Sequence, residues 1–367
     1  MESESDAGEP VVKRKVRVLV VGLGHMGMSH ARAYARLEGF EVIGLCTRNI
    51  HERRDLPPEL TDLPRFDDYA NALSVLTPDA VSINTWGDTH AEYATMAFEA
   101  GAHVFVEKPL AETVEDCRQV VAKAKITGKK LVVGYILRHH PSWTRFVELA
   151  RTLGSPLVMR MNLNQQSVGE DWDWHKALMR SASPIVDCGV HYVDIMCLVT
   201  GAKPVKVHAI GARLTDEIAP DMYNYGQLQV SFDDGSVGWY EAGWGPMMSE
   251  EAFFVKDIIG PKGCVSIVMS NDEGTRSADM ETHTKTSRIR LHHSQLDAAG
   301  RLAHPDQMID LQDEPGHDEL CEREQRYFYD AITKDIDLGE HMADAISSLR
   351  IVLAADRSVR TGQVVEL

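Results

Sequence analysis

The chain has 367 residues, enough for two domains, and its 44% hydrophobic and 25% charged content is that of an ordinary globular protein. A net charge of −17 lacks the basic footprint that nucleic acid or an anionic membrane surface requires, and no apolar stretch is long enough to span a bilayer. The six cysteines (46, 117, 188, 197, 264 and 321) form no C-x-x-C pair, which suits reduced thiols in a cytoplasmic protein better than a disulfide frame or a zinc site.

In chain order, residues 1–12 read as an acidic, disordered tail with no signal-peptide pattern. Val16 to Val21 then reads as a buried parallel strand. It breaks into Gly22-Leu23-Gly24-His25-Met26-Gly27 and a helix from Met28 to Glu38. Between a strand and a helix, this G-x-G-x-x-G spacing predicts a dinucleotide-binding turn. Gly22 makes the tight turn, Gly24 admits a pyrophosphate to the backbone, and Gly27 lets helix and strand pack closely. The helix N-terminus offers its unpaired N–H groups to the anion. Gly39 reads as a helix-terminating glycine and Phe40 to Cys46 as the second strand. That strand runs into Thr47-Arg48-Asn49 with no carboxylate for a ribose hydroxyl. NADP(H) is therefore favoured over NAD(H), with Thr47 as hydroxyl partner and Arg48 as phosphate partner. Further strands at Ala80–Asn84, His103–Glu107 and Leu131–Tyr135 alternate with helices at 68–76, 89–100 and 113–126. This rhythm predicts a Rossmann domain over residues 13–134.

Residues 135–367 read differently, as an α+β domain for substrate binding and oligomerisation. A helix at Ser142–Thr152, a strand at Pro156–Leu163 and a helix at Asp187–Thr200 precede consecutive hairpins from Lys203 to Met269. Hairpins imply a large, mostly antiparallel sheet. Its strands carry apolar residues at both alternations, as in Tyr223–Phe232 and Gly238–Trp244, so a homodimer or homotetramer is expected. Residues 271–305 are polar and unassigned; helices at Glu319–Thr333 and His341–Val359 close the chain.

Two stretches carry candidate chemistry. In Glu107-Lys108-Pro109 the lysine follows a parallel strand, at the carboxyl edge where open α/β sheets bind ligands; Pro109 holds it out of α geometry. A plain surface lysine is the alternative. Asp187 and His191, four apart, would lie on one helical face as a carboxylate–imidazole pair suited to proton transfer. Asp187 could instead be a helix cap, and Asp187, His191 and Asp194 could be metal ligands, though they are too few for a closed site; no metal is expected.

Gly22-x-Gly24-x-x-Gly27, Thr85 with His90, Glu107-Lys108-Pro109 and Asp187-x-x-x-His191, in this order, resemble the Gfo/Idh/MocA family, named for glucose–fructose oxidoreductase and inositol dehydrogenase. The resemblance implies a pyridine-nucleotide oxidoreductase acting on a sugar, glycoside or cyclitol. It places Thr85, His90 and Glu107 at the cofactor, Lys108 near nicotinamide and substrate, and proton transfer on Asp187 and His191. Arg138, in Gly134-Tyr-Ile-Leu-Arg-His-His-Pro141, falls in a segment that lines the family's pocket. Trp172, Trp174, His175 and Lys176 offer an aromatic face beside donors, as a sugar needs, or a packed cluster at the domain junction. His139, His140, His292 and His293 read as surface or turn residues. Two departures stand out: Trp86 follows Thr85 where many members have proline, and Ser181-Ala-Ser-Pro-Ile-Val186 replaces a glycine-rich run. A glycoside hydrolase or lyase using transient sugar oxidation, and a non-enzymatic dinucleotide sensor, are the alternatives on the same fold.

Overall fold

The computed structural model describes residues 14–249, 254–268, 286, 288–311 and 314–367; the expected tail at 1–12 and most of 269–287 lie outside them. The first domain comprises β1 (Val16–Val21), α1 (His25–Arg36), β2 (Phe40–Cys46), α2 (Pro58–Thr61), β3 (Arg65–Phe66), α3 (Tyr69–Leu76), β4 (Ala80–Ile83), α4 (Gly87–Glu99), β5 (His103–Val106), α5 (Val114–Thr127) and β6 (Leu131–Val133). Its strands are all parallel, in the order β3-β2-β1-β4-β5-β6. This is the doubly wound Rossmann order, with the switch point between β1 and β4. Apart from Arg17 and Ser82, β1, β4 and β6 are apolar, and all three are almost entirely buried, because helices cover both faces of the sheet. Side chains cap two of these helices: Asp68 accepts from Asn71 N, and Thr113 accepts from Asp116 N. Gly128 closes α5 in the left-handed region.

Gly39 does not close a helix in that way. α1 ends at Arg36, and at Gly39 any Cβ would run into the Tyr329 ring. Its smallness serves packing between distant parts of the chain.

The second domain comprises α6 (Pro141–Arg151), β7 (Val158–Gln166), α7 (Gly169–Leu178), α8 (Pro184–Asp187), α9 (Gly189–Thr200), β8 (Pro204–Ala212), β9 (Tyr225–Phe232), β10 (Val237–Gly245), β11 (Lys256–Gly260), β12 (Gly263–Val268), β13 (Arg288–His293), β14 (Gln307–Asp310), α10 (His317–Thr333), α11 (Gly339–Thr361) and β15 (Val365–Glu366). Among the described residues its sheet runs β14-β13-β12-β11-β7-β10-β9-β8-β15. It is mixed: β10 lies parallel to β7, and the other pairings are antiparallel. α9 and α11 pack on the inner face, where Leu228, Val230, Tyr240 and Val352 are buried. α10 crosses back to the first domain and packs on α1.

The helix expected over Asp187–Thr200 is two helices. α8 ends at Asp187, Cys188 intervenes, and α9 begins at Gly189, so Asp187 and His191 do not share one helical face. Ser183 caps α8 by accepting from Val186 N, which leaves Asp187 free of a capping role there.

Candidate active site

The turn after β1 is shaped for an anion. Gly22 sits at φ +80, and a Cβ there would meet the Asn84 carbonyl; at Gly27 it would meet the Gly22 carbonyl. At Gly24, the exposed N-cap of α1, a Cβ would meet nothing within 4 Å. No side chain caps α1 and no acid lies in its first turn, so its N–H groups are left for a ligand. These residues fit a pyrophosphate. Gly24 and His25 open onto a cleft of about 820 Å³ that Arg32, Arg53, Asp55 and His317 also line; Met26 is half-buried beside it. Arg53 donates to the Leu23 carbonyl and pairs with Asp55, placing a cation against the glycine loop. Sequence reading missed it; two adjacent arginines (Arg53-Arg54) in the loop after β2 were the available signal. Thr47, at the end of β2, donates its N–H to Phe66 O (3.0 Å), and Arg48 beside it is exposed.

At the carboxyl end of β4, Thr85 Oγ1 accepts from Thr89 Oγ1 (2.6 Å), and Trp86, at 52% exposed, precedes α4. His90 is buried beneath them, its Nδ1 2.7 Å from Pro109 O and its Nε2 2.9 Å from Thr85 O. It clamps the β4 and β5 loops together instead of facing the cleft. Burial pushes its pKa down against those two carbonyl contacts. Glu107 is likewise buried, its carboxylate turned into the core toward His30.

Lys108 follows on the open side. Its Nζ donates to Asp187 Oδ1 (2.9 Å) and to the Asp187 carbonyl (3.1 Å), so the two domains meet at this ion pair. An ammonium has three N–H groups, and two are used, which leaves one for a substrate oxygen. Burial pushes the Lys108 pKa down, but the Asp187 carboxylate outweighs it and the net shift is upward. Lys108 therefore stays cationic near neutral pH. The side chains of Lys108 and Asp187 are 18% and 16% exposed, open enough to be reached. Asp187 Oδ2 lies 3.5 Å from Cys188 Sγ. His191, in the first turn of α9, is half-buried, with its ring edge-on to Tyr135 at 6.3 Å. The carboxylate read as the imidazole's partner is thus ion-paired to Lys108.

The residues read as substrate contacts are held elsewhere. Arg138 donates from Nε and Nη2 to both oxygens of Asp194 (2.7 Å each) and from Nη2 to Asp344 Oδ2 (2.7 Å). Its Nε and Nη2 hydrogens go to two carboxylates, and Asp194, fully buried against it, is no companion ligand to Asp187. Trp172 is buried in a cluster with Leu178, Met222 and Trp244, its Nε1 donating to Glu217. Lys176 pairs with Glu217 and Asp173 and lies over the Trp172 ring, while Trp174 is 49% exposed. The packed-cluster reading describes Trp172. His175, between them, stacks on Trp244 at 4.4 Å, and burial pushes its pKa down to about 4. His140 is not a surface residue: it is buried and caps α6, accepting from Ser142 N. His139 is half-buried against Tyr327, and His292 and His293 lie on β13.

The chain matches two family models. One, described as an oxidoreductase family with an NAD-binding Rossmann fold, covers residues 16–135; the other, the GFO/IDH/MocA C-terminal domain, covers residues 149–265. Inositol 2-dehydrogenase 3 of Saccharopolyspora erythraea is 31% identical over 208 residues, 55% of this chain and 59% of that one. The D-glucoside 3-dehydrogenase of Escherichia coli is 25% identical over 264 residues, 67% of this chain and 75% of that one. The chain spans less than two thirds of the length of the inositol dehydrogenases it matches. In three dimensions it resembles the scyllo-inositol dehydrogenase of Lactobacillus casei solved with NAD(H) and scyllo-inositol: TM-score 0.75, 19% identity, 96% of this chain and 99% of that one. With both halves matched in order, the chain belongs to the Gfo/Idh/MocA family.

Proposed function

We propose that this protein is a pyridine-nucleotide dehydrogenase that interconverts a secondary alcohol and a ketone on a sugar, glycoside or cyclitol. The observation that carries this reading is the Lys108–Asp187 ion pair at the carboxyl edge of β5, next to a glycine turn fit for a dinucleotide. When bound, the dinucleotide supplies the hydride acceptor or donor. The protein supplies placement and charge. The remaining N–H of Lys108 binds the reacting oxygen and stabilises the alkoxide character that develops on it. Asp187 keeps Lys108 charged and aimed. His191, one helix turn into α9, removes the hydroxyl proton during oxidation and returns it during reduction.

NADP(H) is the preferred dinucleotide on this reading. No carboxylate directly follows β2, and Arg48 and Asn49 just beyond that strand end are exposed, which suits a 2′-phosphate. Titration should show Arg48→Ala weakening NADP(H) binding far more than NAD(H) binding; equal losses, or tighter NAD(H) binding by the wild type, would remove the preference. A second copy of the chain is the natural cover for the outer face of the large sheet. Val237, Val158 and Ile259 lie side by side across β10, β7 and β11, and all three are exposed. Light scattering should give a dimer or tetramer at micromolar concentration, and a monomer would contradict this. The function itself is tested with a panel of polyols, sugars and glycosides, each with both dinucleotides, followed at the nicotinamide absorbance. At least one polyol should yield stoichiometric reduced dinucleotide; cleavage of glycosides without its accumulation would point to a hydrolase or lyase instead.

A further inference from the structure

Behind Lys108 lies a buried polar cluster that the reaction does not use. Tyr34 and His30 of α1, Glu107 after β5, and Glu324 and Gln325 of α10 meet there, all of them buried. With the Gln325 amide oxygen turned to Tyr34, their hydrogen bonds run in one sense. Tyr34 donates its hydroxyl to Gln325 Oε1, so the Gln325 amide presents Nε2 to His30 Nδ1 at 2.9 Å. An amide NH₂ only donates, so His30 Nδ1 accepts. The ring proton of His30 then sits on Nε2, which donates to Glu107 Oε1 at 2.8 Å. Glu107 Oε2 accepts the main-chain N–H of Lys108 at 3.1 Å. Gly134 is part of the device, since its missing side chain leaves the space that the Glu107 carboxylate fills.

We propose that Gln325, His30 and Glu107 form a directed hydrogen-bond relay from α10 to the Lys108 main chain, and that all three are positioning residues for Lys108. Glu324 completes the cluster as a neutral acid. Among the described residues neither of its buried oxygens has a hydrogen-bond partner, and the ligand atoms of His30, Glu107 and Glu324 lie within 4.8 Å of one another. Two ionised carboxylates so close in an apolar interior repel strongly, so the pair carries one charge. That charge belongs to Glu107. Burial raises the Glu107 pKa, but the hydrogen bond from His30 together with the charges of its basic neighbours outweighs it and the net shift is downward; burial pushes Glu324 well up. The relay joins residues 295 positions apart in the chain and ties the aim of Lys108 to the docking of α10.

This inference rests on the role of Lys108 proposed above, so the test includes a readout independent of turnover. In the full-length protein labelled with ¹⁵N-histidine, His30 should show a single Nε2–H tautomer, whatever the substrate. Glu324→Gln, which matches the neutral acid in shape, should leave that spectrum and kcat within about twofold of wild type. Gln325→Leu should mix the His30 tautomers and lower kcat about tenfold, with dinucleotide affinity unchanged. If Gln325→Leu does not fold, Tyr34→Phe, which keeps the ring and frees the Gln325 amide to turn, should show the same direction of change. A His30 carrying its proton on Nδ1 would overturn the relay. So would a Glu324→Gln loss as large as that of Gln325→Leu, or one equivalent of a divalent metal co-purifying through His30, Glu107 and Glu324.

Discussion

Two cations bind segments far apart in this chain, and they differ in what they leave over. Arg138 meets Asp194 and Asp344 with its side chain 12% exposed, and Asp194 is 1% exposed. Lys108 meets Asp187 with the two side chains 18% and 16% exposed. The single guanidinium charge is shared between two carboxylates, whereas the ammonium faces one carboxylate and keeps a donor free. A cation outweighed by two acids holds structure together; a cation facing one acid at a sheet edge can still take a ligand.

Removing each cation should separate these roles. Arg138→Ala leaves Asp194 buried without its partner and should cost about 3–5 kcal/mol of stability, read by urea denaturation. If it folds as wild type but loses substrate affinity, the contrast fails and Arg138 faces substrate after all. Lys108→Ala should do the opposite: kcat falls about a hundredfold or more, close to 3 kcal/mol of transition-state stabilisation, with little change in the urea midpoint.

Lys256 sharpens the comparison because it is a buried cation that meets no carboxylate among the described residues. Its ammonium donates to the Asn162 carbonyl and lies over the Tyr192 and Phe254 rings, and burial pushes its pKa down to about 7. The unfolded chain holds this proton up to about pH 10.5, so folding expels it between roughly pH 7 and 10.5 and stability rises with pH across that window. Lys256→Met should therefore stabilise the protein by about 2 kcal/mol below pH 7, and the gain should shrink toward pH 10. A gain that grows with pH would contradict the burial account. Asp187→Asn should have the smallest effect, about tenfold on kcat, since the amide still accepts from Lys108 but no longer favours its charge. An unchanged kcat would mean that Asp187 neither aims nor charges Lys108.

The first domain was far more legible than the second. A buried strand, spaced glycines, Thr113 and Gly128 act locally, and each marks its element within a few residues. The parallel pairing of β10 with β7 depends on strands some eighty residues apart, and no turn between them encodes it. α7 was missed because Gly169–Leu178 is a mixed run of acids and tryptophans with only Trp172, His175 and Leu178 buried. Of the site, Lys108, Asp187 and His191 could be picked out because their neighbours in sequence are distinctive. The break at Cys188, the pairing of Arg138 with Asp344 and the approach of Gln325 to His30 could not, since each depends on residues distant in sequence or on a local backbone choice that helical periodicity does not reveal.

The central claim is that His191, Lys108 and Asp187 form one proton-handling and hydride-transfer site. It is tested most directly by single-turnover formation of reduced dinucleotide in His191→Asn beside wild type, with one oxidisable polyol and dinucleotide binding measured on the same samples. Asparagine is polar and of similar reach but cannot take a proton at neutral pH. The variant should bind the dinucleotide as wild type does and transfer hydride at least about a hundredfold more slowly. Hydride transfer at the wild-type rate, with binding intact, would contradict the account.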